Sequence, residues 1–174
     1  MKIRKGFVSN SSSSSYIINY PLRELRLREV EDYIGGYTEN TPDRYKDIMS
    51  YLIWKNQPKW DEGKMCKYDL YKIDNDYLDR DCYDDDCSNC DVMITPTQKD
   101  KDEQVDNILA EGWYCKESEA IIKEFRNREG VLGEFSLDDN NPSDYDLTYD
   151  EADYLTGHAG RMFASNNNII GFGK

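Results

Sequence analysis

Three of the five cysteines in this chain fall within nine residues, Cys82-Tyr-Asp-Asp-Asp-Cys87-Ser-Asn-Cys90, a spacing that suits a metal ion. Cys87 and Cys90 can grip one ion from a single turn, and Cys82 is near enough in sequence to add a third sulfur. Cys115 would complete the set, with Cys66 or His158 as alternative fourth ligands. Four such ligands describe a structural zinc site, which would tether a segment that otherwise has no internal support. Asp84, Asp85 and Asp86 oppose this, because carboxylates beside a thiol disfavour its thiolate, and they stand instead as interaction candidates for a basic partner. Ordinary reduced cysteines therefore stand as the alternative reading, and the two-residue spacing occurs once rather than as a pair. Taken with Cys115, the same cysteines approach a plant-type iron–sulfur spacing. An aspartate-rich loop is unlike the tight, small-residue wrap that a cluster needs, so that reading is set aside.

Other residues could do chemistry in weaker patterns. Asp74, Asp76, Asp79 and Asp81 are spaced loosely like calcium ligands, but no glycine turn or closing glutamate accompanies them, and a solvated acidic face explains them better. His158, the single histidine, lies in Gly157-His-Ala-Gly160. No nucleophile is tied to it by a local signature, so it reads as a helix-ending loop residue. Gly171-Phe-Gly173-Lys174 lacks the glycine spacing and following helix of a phosphate loop. The run Ser11 to Ser15, with Ser11, Ser12 and Ser13 as interaction candidates, has three readings. Arg4 and Lys5 with the hydroxyls could hold an anion; the serines could accept a modification; or the run is a solvated tether.

The elements that would position these residues follow from patterning. Lys2–Val8 and Tyr16–Tyr20 read as strands around a serine loop, an N-terminal element over 1–20. A helix is expected from Pro21 to Ile34, burying Leu22, Leu25 and Val30 and stopped by Gly35-Gly36. Thr41 as N-cap and Pro42 at the first position open a second helix. Its apolar stripe is Tyr45, Ile48, Met49, Leu52 and Ile53, and it ends before Pro58. Residues 64–73 suggest a strand, and 74–102 an acidic, cysteine-bearing irregular insertion. Helices are expected over Glu103–Glu111 and Ser118–Arg128, with a break near Gly112, then a strand over Val131–Leu137 and a turn at Asp138–Pro142. Thr148-Tyr-Asp-Glu151 is a capping box for a helix stopped by Gly157. Met162–Ala164 and Ile169–Phe172 suggest a terminal hairpin. The sum is a single α+β domain over 1–174, a small, mainly antiparallel sheet with helices packed on one side.

Composition bounds the function. The 174 residues carry a formal charge of −13, with 38% hydrophobic and 33% charged residues, so the core is modest. Fourteen tyrosines supply much of the apolar area, and a tyrosine can be half buried with its hydroxyl in water. Such acidity disfavours direct contact with nucleic acid or an anionic membrane and favours a basic or nucleic-acid-binding protein surface as partner. Charge is uneven: residues 1–30 carry +4 and residues 74–103 carry −8. No apolar stretch is long enough for a transmembrane helix, and the basic start lacks the apolar core of a signal peptide, so secretion is not expected. Free thiols or a metal suit five cysteines better than disulfides.

The start Met-Lys-Ile-Arg-Lys-Gly-Phe-Val-Ser-Asn-Ser-Ser-Ser-Ser-Ser-Tyr-Ile-Ile resembles a recurrent N-terminal signature of uncharacterised proteins of bacteriophages and of bacteria carrying phage-derived genes, such as Firmicutes. The signature usually has phenylalanine where this chain has Tyr16. It spans about a tenth of the chain and carries no activity, so no residue role transfers. The resemblance implies a phage or prophage product working in the bacterial cytoplasm or carried in a virion.

The expectation that follows is a non-enzymatic accessory protein that binds another protein, virion-associated or host-directed, with no cofactor other than a structural zinc. Two alternatives differ in class. An acidic inhibitor would mimic nucleic acid on a host or defence enzyme, and an enzyme or redox protein would centre on the cysteines.

Overall fold

The computed structural model describes residues 13–71, 92–111, 114–138, 146–164 and 168–173. These form an α+β fold with two three-stranded antiparallel sheets, the class expected from the sequence. The chain divides into two compact units. Among the described residues, the first holds 13–18, 26–56, 134–138, 146–164 and 168–173, and the second holds 19–25, 57–71, 92–111 and 114–133. No helix among the described residues is long and apolar enough to cross a membrane.

Strand β1 (Ser13–Tyr20) lies between β5 (Val131–Asp138) and β6 (Ile169–Gly173). Its register with β6 is antiparallel, from Ser14 opposite Gly173 to Ile18 opposite Ile169. Ser14 through Tyr20 are all buried. Successive strand residues point to opposite faces, so both faces of β1 are shielded from solvent. Ser13–Ser15, expected in a solvated loop, belong to this strand. Ser15 Oγ lies 2.8 Å from Ser136 Oγ, and Ser14 Oγ donates to Tyr16 Oη at 3.5 Å. Hydroxyls that find partners in this way can be buried in a sheet, which a composition-based reading of a serine run misses. Lys2–Val8, Ser11 and Ser12 lie outside the described residues.

In the first unit a 3₁₀ turn at Leu27–Glu29 leads into α1 (Val30–Ile34), which stops at Gly35 as expected. Helix α2 (Asp43–Lys55) buries Met49, Leu52 and Ile53 and half-buries Tyr45 and Ile48, the stripe read from the sequence. Its N-cap is Pro42, one residue later than expected. The Thr41 hydroxyl is instead paired with Thr38 Oγ1 at 2.9 Å. The capping box at Thr148 and Glu151 opens α6 (Tyr149–Gly157) as expected. The terminal hairpin does not form: Phe163 bridges Tyr37, and Ala164 N–H donates to the Gly36 carbonyl at 3.1 Å. Residues 36–38 thus take the partners that the hairpin reading assigned to β6, and β6 pairs with β1.

In the second unit the first part of the helix expected over Pro21–Ile34 does not form, and only its last part is helical, as the 3₁₀ turn and α1. Leu25 gives its N–H to Gln57 Oε1 at 2.7 Å and accepts Gln57 Nε2 at 3.0 Å, so both backbone groups are spent on one side chain. Leu22, expected inside, is 38% exposed. Strands β2 (Trp60–Asp61) and β3 (Lys64–Cys66) form a hairpin around Glu62 and Gly63, whose φ values of 50° and 79° suit the strand twist. The strand expected over 64–73 ends at Cys66 and becomes α3 (Lys67–Tyr71), with Lys67 N–H donating to the Val92 carbonyl at 2.8 Å. Strand β4 (Met93–Ile94) joins β3, and α4 (Gln98–Leu109) begins at a Thr97–Asp100 capping box. Within the expected irregular insertion, β4 and the start of α4 are therefore regular elements, while 72–91 lie outside the described residues. Helix α5 (Lys116–Phe125) buries Ile122 and Phe125 and leads to β5. The break at Gly112 and the turn over 139–142 also lie outside the described residues.

Candidate functional site

Helix α6 of the first unit presents two chemically distinct faces. Ala152, Leu155 and Thr156 are buried, whereas Tyr149, Asp150 and Asp153 are exposed, Tyr149 to 70%. Positions i, i+1 and i+4 share one side of a helix, so a phenol and two carboxylates stand together on the solvent side. Asp150 and Glu151 also lie at the positive end of the helix dipole. The Thr148 side chain, aided by its N–H and by Arg44, holds the Glu151 carboxyl below the usual range. Arg44 reaches Glu151 Oε1 at 3.5 Å.

The side of α6 toward α2 carries a column of rings. Tyr45 and Tyr154 stack at 3.7 Å with planes 7° apart, and Tyr154 and His158 stack at 4.1 Å with planes 14° apart. His158 closes the helix as its C-cap, the role read from the sequence. Its Nδ1 lies 2.8 Å from the Tyr154 carbonyl, which can only accept, so Nδ1 carries the proton. The ring is thereby fixed by the backbone and by the stack.

Behind this surface the hydroxyls are committed to the fold. Tyr16 Oη donates to the Leu155 carbonyl at 2.8 Å, and its ring stacks on Phe135 at 5.1 Å. Burial pushes the Tyr16 phenol well above its ordinary value, and burial does the same to Tyr37, whose hydroxyl pairs with Ser50 at 2.8 Å. Phenols so placed anchor structure and do not exchange protons near neutrality.

The residues singled out in the sequence are distributed as follows. Cys82, Cys87, Cys90, Asp84, Asp85, Asp86 and the spaced aspartates from Asp74 to Asp81 lie outside the described residues. Cys115 is exposed at the N-cap of α5 with its sulfur 3.2 Å from Ser118 Oγ, and Cys66 is buried in β3. Among the described residues no group of three or more His, Cys, Asp or Glu side chains is placed to hold a metal. Ser13 is part of β1. Sequence reasoning missed the Tyr45–Tyr154–His158 column. Its signal was partial: Tyr154 and His158 are four apart on one helix, but nothing local ties them to Tyr45.

Comparison of the chain with protein-family models, curated proteins and solved structures gave no match.

Proposed function

We propose that this protein acts without catalysis, as a phage or prophage accessory protein that binds another protein through an acidic, tyrosine-bearing surface. The observation that carries this reading is the solvent side of α6, where Tyr149 stands 70% exposed beside exposed Asp150 and Asp153. An exposed tyrosine offers large contact area at low entropic cost, and neighbouring carboxylates select a basic partner. Tyr16 and His158, which lie on or beside this helix, are tied to its backbone carbonyls. That commitment suits a rigid scaffold behind a binding face.

Affinity capture from bacterial host lysate, run beside a proteome of purified virions, tests the proposal. A stoichiometric host partner or stable incorporation in the particle is expected. Neither partner nor incorporation, or turnover of a small molecule by the pure protein, would overturn it.

A further inference from the structure

We propose that Lys101 is a proton-operated latch of the second unit, closed when its amine is neutral and biased toward opening of the turn after α5 when it takes up a proton. The latch is independent of the binding role proposed above. Lys101 lies on α4 with 2% of its surface exposed. Its Nζ donates to Asn19 Oδ1 of β1 and to the Arg128 carbonyl at 3.3 Å. Asn19 in turn donates through Nδ2 to the Glu129 carbonyl at 3.2 Å. One amine and one carboxamide thus join α4, β1 and the turn between α5 and β5. Gly130 seats that turn: its φ is +138°, and a Cβ there would meet Asn19 Oδ1 at 2.8 Å.

The acceptors around the amine are neutral oxygens, and a buried ammonium is costly unless a carboxylate faces it. Among the described residues, the charged groups on the surrounding elements do not supply one. Arg128 repels it, with its guanidinium paired to Glu124 at 3.2 Å. The Glu129 side chain is exposed. On α4 itself Asp100 binds Thr97, and Asp102 binds Gln98 and Arg126. On α3, Asp69 accepts the Lys59 N–H. Burial first, and Arg128 second, lower the Lys101 amine to about 8. Once the turn opens, water solvates the ammonium and the amine returns to the ordinary lysine range. Opening is therefore most frequent below the closed-state value and is suppressed as pH rises toward the open-state value.

Trypsin cleavage after Arg126 and Arg128 in the full chain, divided by its rate on an unstructured peptide of the same turn, reads the opening equilibrium. Between pH 7.5 and 9.5 the corrected rate for the wild type is expected to fall by about 20-fold. Lys101→Met should cleave slowly at both pH values, and Lys101→Arg, which keeps its charge, should cleave fast at both. A wild-type rate that does not change with pH would overturn the proposal. Should the variants fail to fold, the Lys101 side-chain NMR titration of the wild type decides. A midpoint near 8 supports the latch, and titration together with the surface lysines refutes it.

Discussion

The carboxamide of Gln104 takes both backbone groups of Leu132: Oε1 accepts its N–H at 2.9 Å and Nε2 donates to its carbonyl at 3.0 Å. That is the exchange a neighbouring strand would make, supplied here at β5 by a helix side chain. Nε2 also donates to the Leu70 carbonyl at 2.9 Å, so a side chain only 3% exposed has each polar atom satisfied. Gln104 binds α3 and β5 to α4 without any strand between them.

Gln104→Leu keeps comparable bulk but leaves three buried backbone groups without partners. The expected cost is about 2–4 kcal/mol of unfolding free energy, since each abandoned group carries a desolvation penalty. Gln104→Glu should cost at least as much, because it loses the donor and buries a carboxylate. Denaturant titration checks both, and a loss under about 0.5 kcal/mol, the range of an ordinary surface change, would contradict this role.

Tyr16→Phe preserves the stack on Phe135 and removes the hydrogen bond to Leu155. A loss of about 1–2 kcal/mol near neutral pH is expected, because the Leu155 carbonyl remains buried without that donor. The alkaline limb carries a second signature. Tyr16 and Tyr37 are held protonated in the fold while their unfolded counterparts ionise near the ordinary phenol value, so the unfolded state loses protons first. Their stabilisation is present below that value and declines as pH rises past it. Denaturation profiles should therefore fall more gently above about pH 10 in Tyr16→Phe than in the wild type.

Tyr154→Ala removes the middle ring of the column and should cost about 2–3 kcal/mol, from partial loss of burial and two lost stacks. His158→Ala removes an end ring and one bond to Tyr154, with an expected loss nearer 1 kcal/mol. Thermal melts that rank the two in the reverse order would show that His158, and not Tyr154, organises this end of α6.

Thr148→Ala should cost about 1 kcal/mol through loss of the N-cap bond to Glu151 N–H. It should also weaken the acid dependence of stability. Glu151 is held below its ordinary value in the fold, so its contribution is present above that value and is lost as pH falls through the folded one. A flatter acid limb in the variant is the expected reading of denaturation between pH 3 and 6.

What was legible in the sequence is what local physics decides. The α2 stripe, the Thr148–Glu151 capping box, the stop at Gly35 and the strand over β5 each depend on residues a few positions apart. What was not legible depends on partners far along the chain. Leu25 leaves the helical path because Gln57, 32 residues on, binds its backbone. Ser15 is buried because Ser136 meets its hydroxyl. Phe163 pairs with Tyr37 and not with β6, a choice no turn signal announces. The Thr97–Asp100 box was readable in principle, but it sits inside an acidic run that masks the start of α4. At the candidate site His158 was legible as a helix end, whereas the Tyr45–Tyr154 stack, formed between two helices, was not.

Binding of the captured partner to wild type and to a variant carrying Tyr149→Ala, Asp150→Asn and Asp153→Asn tests the central proposal most directly. All three positions are exposed, so the variant should keep its stability to within about 1 kcal/mol. The account predicts binding that weakens with added salt in the wild type and is at least about 10-fold weaker in the variant. Equal affinity of both proteins, unchanged by salt, would contradict it.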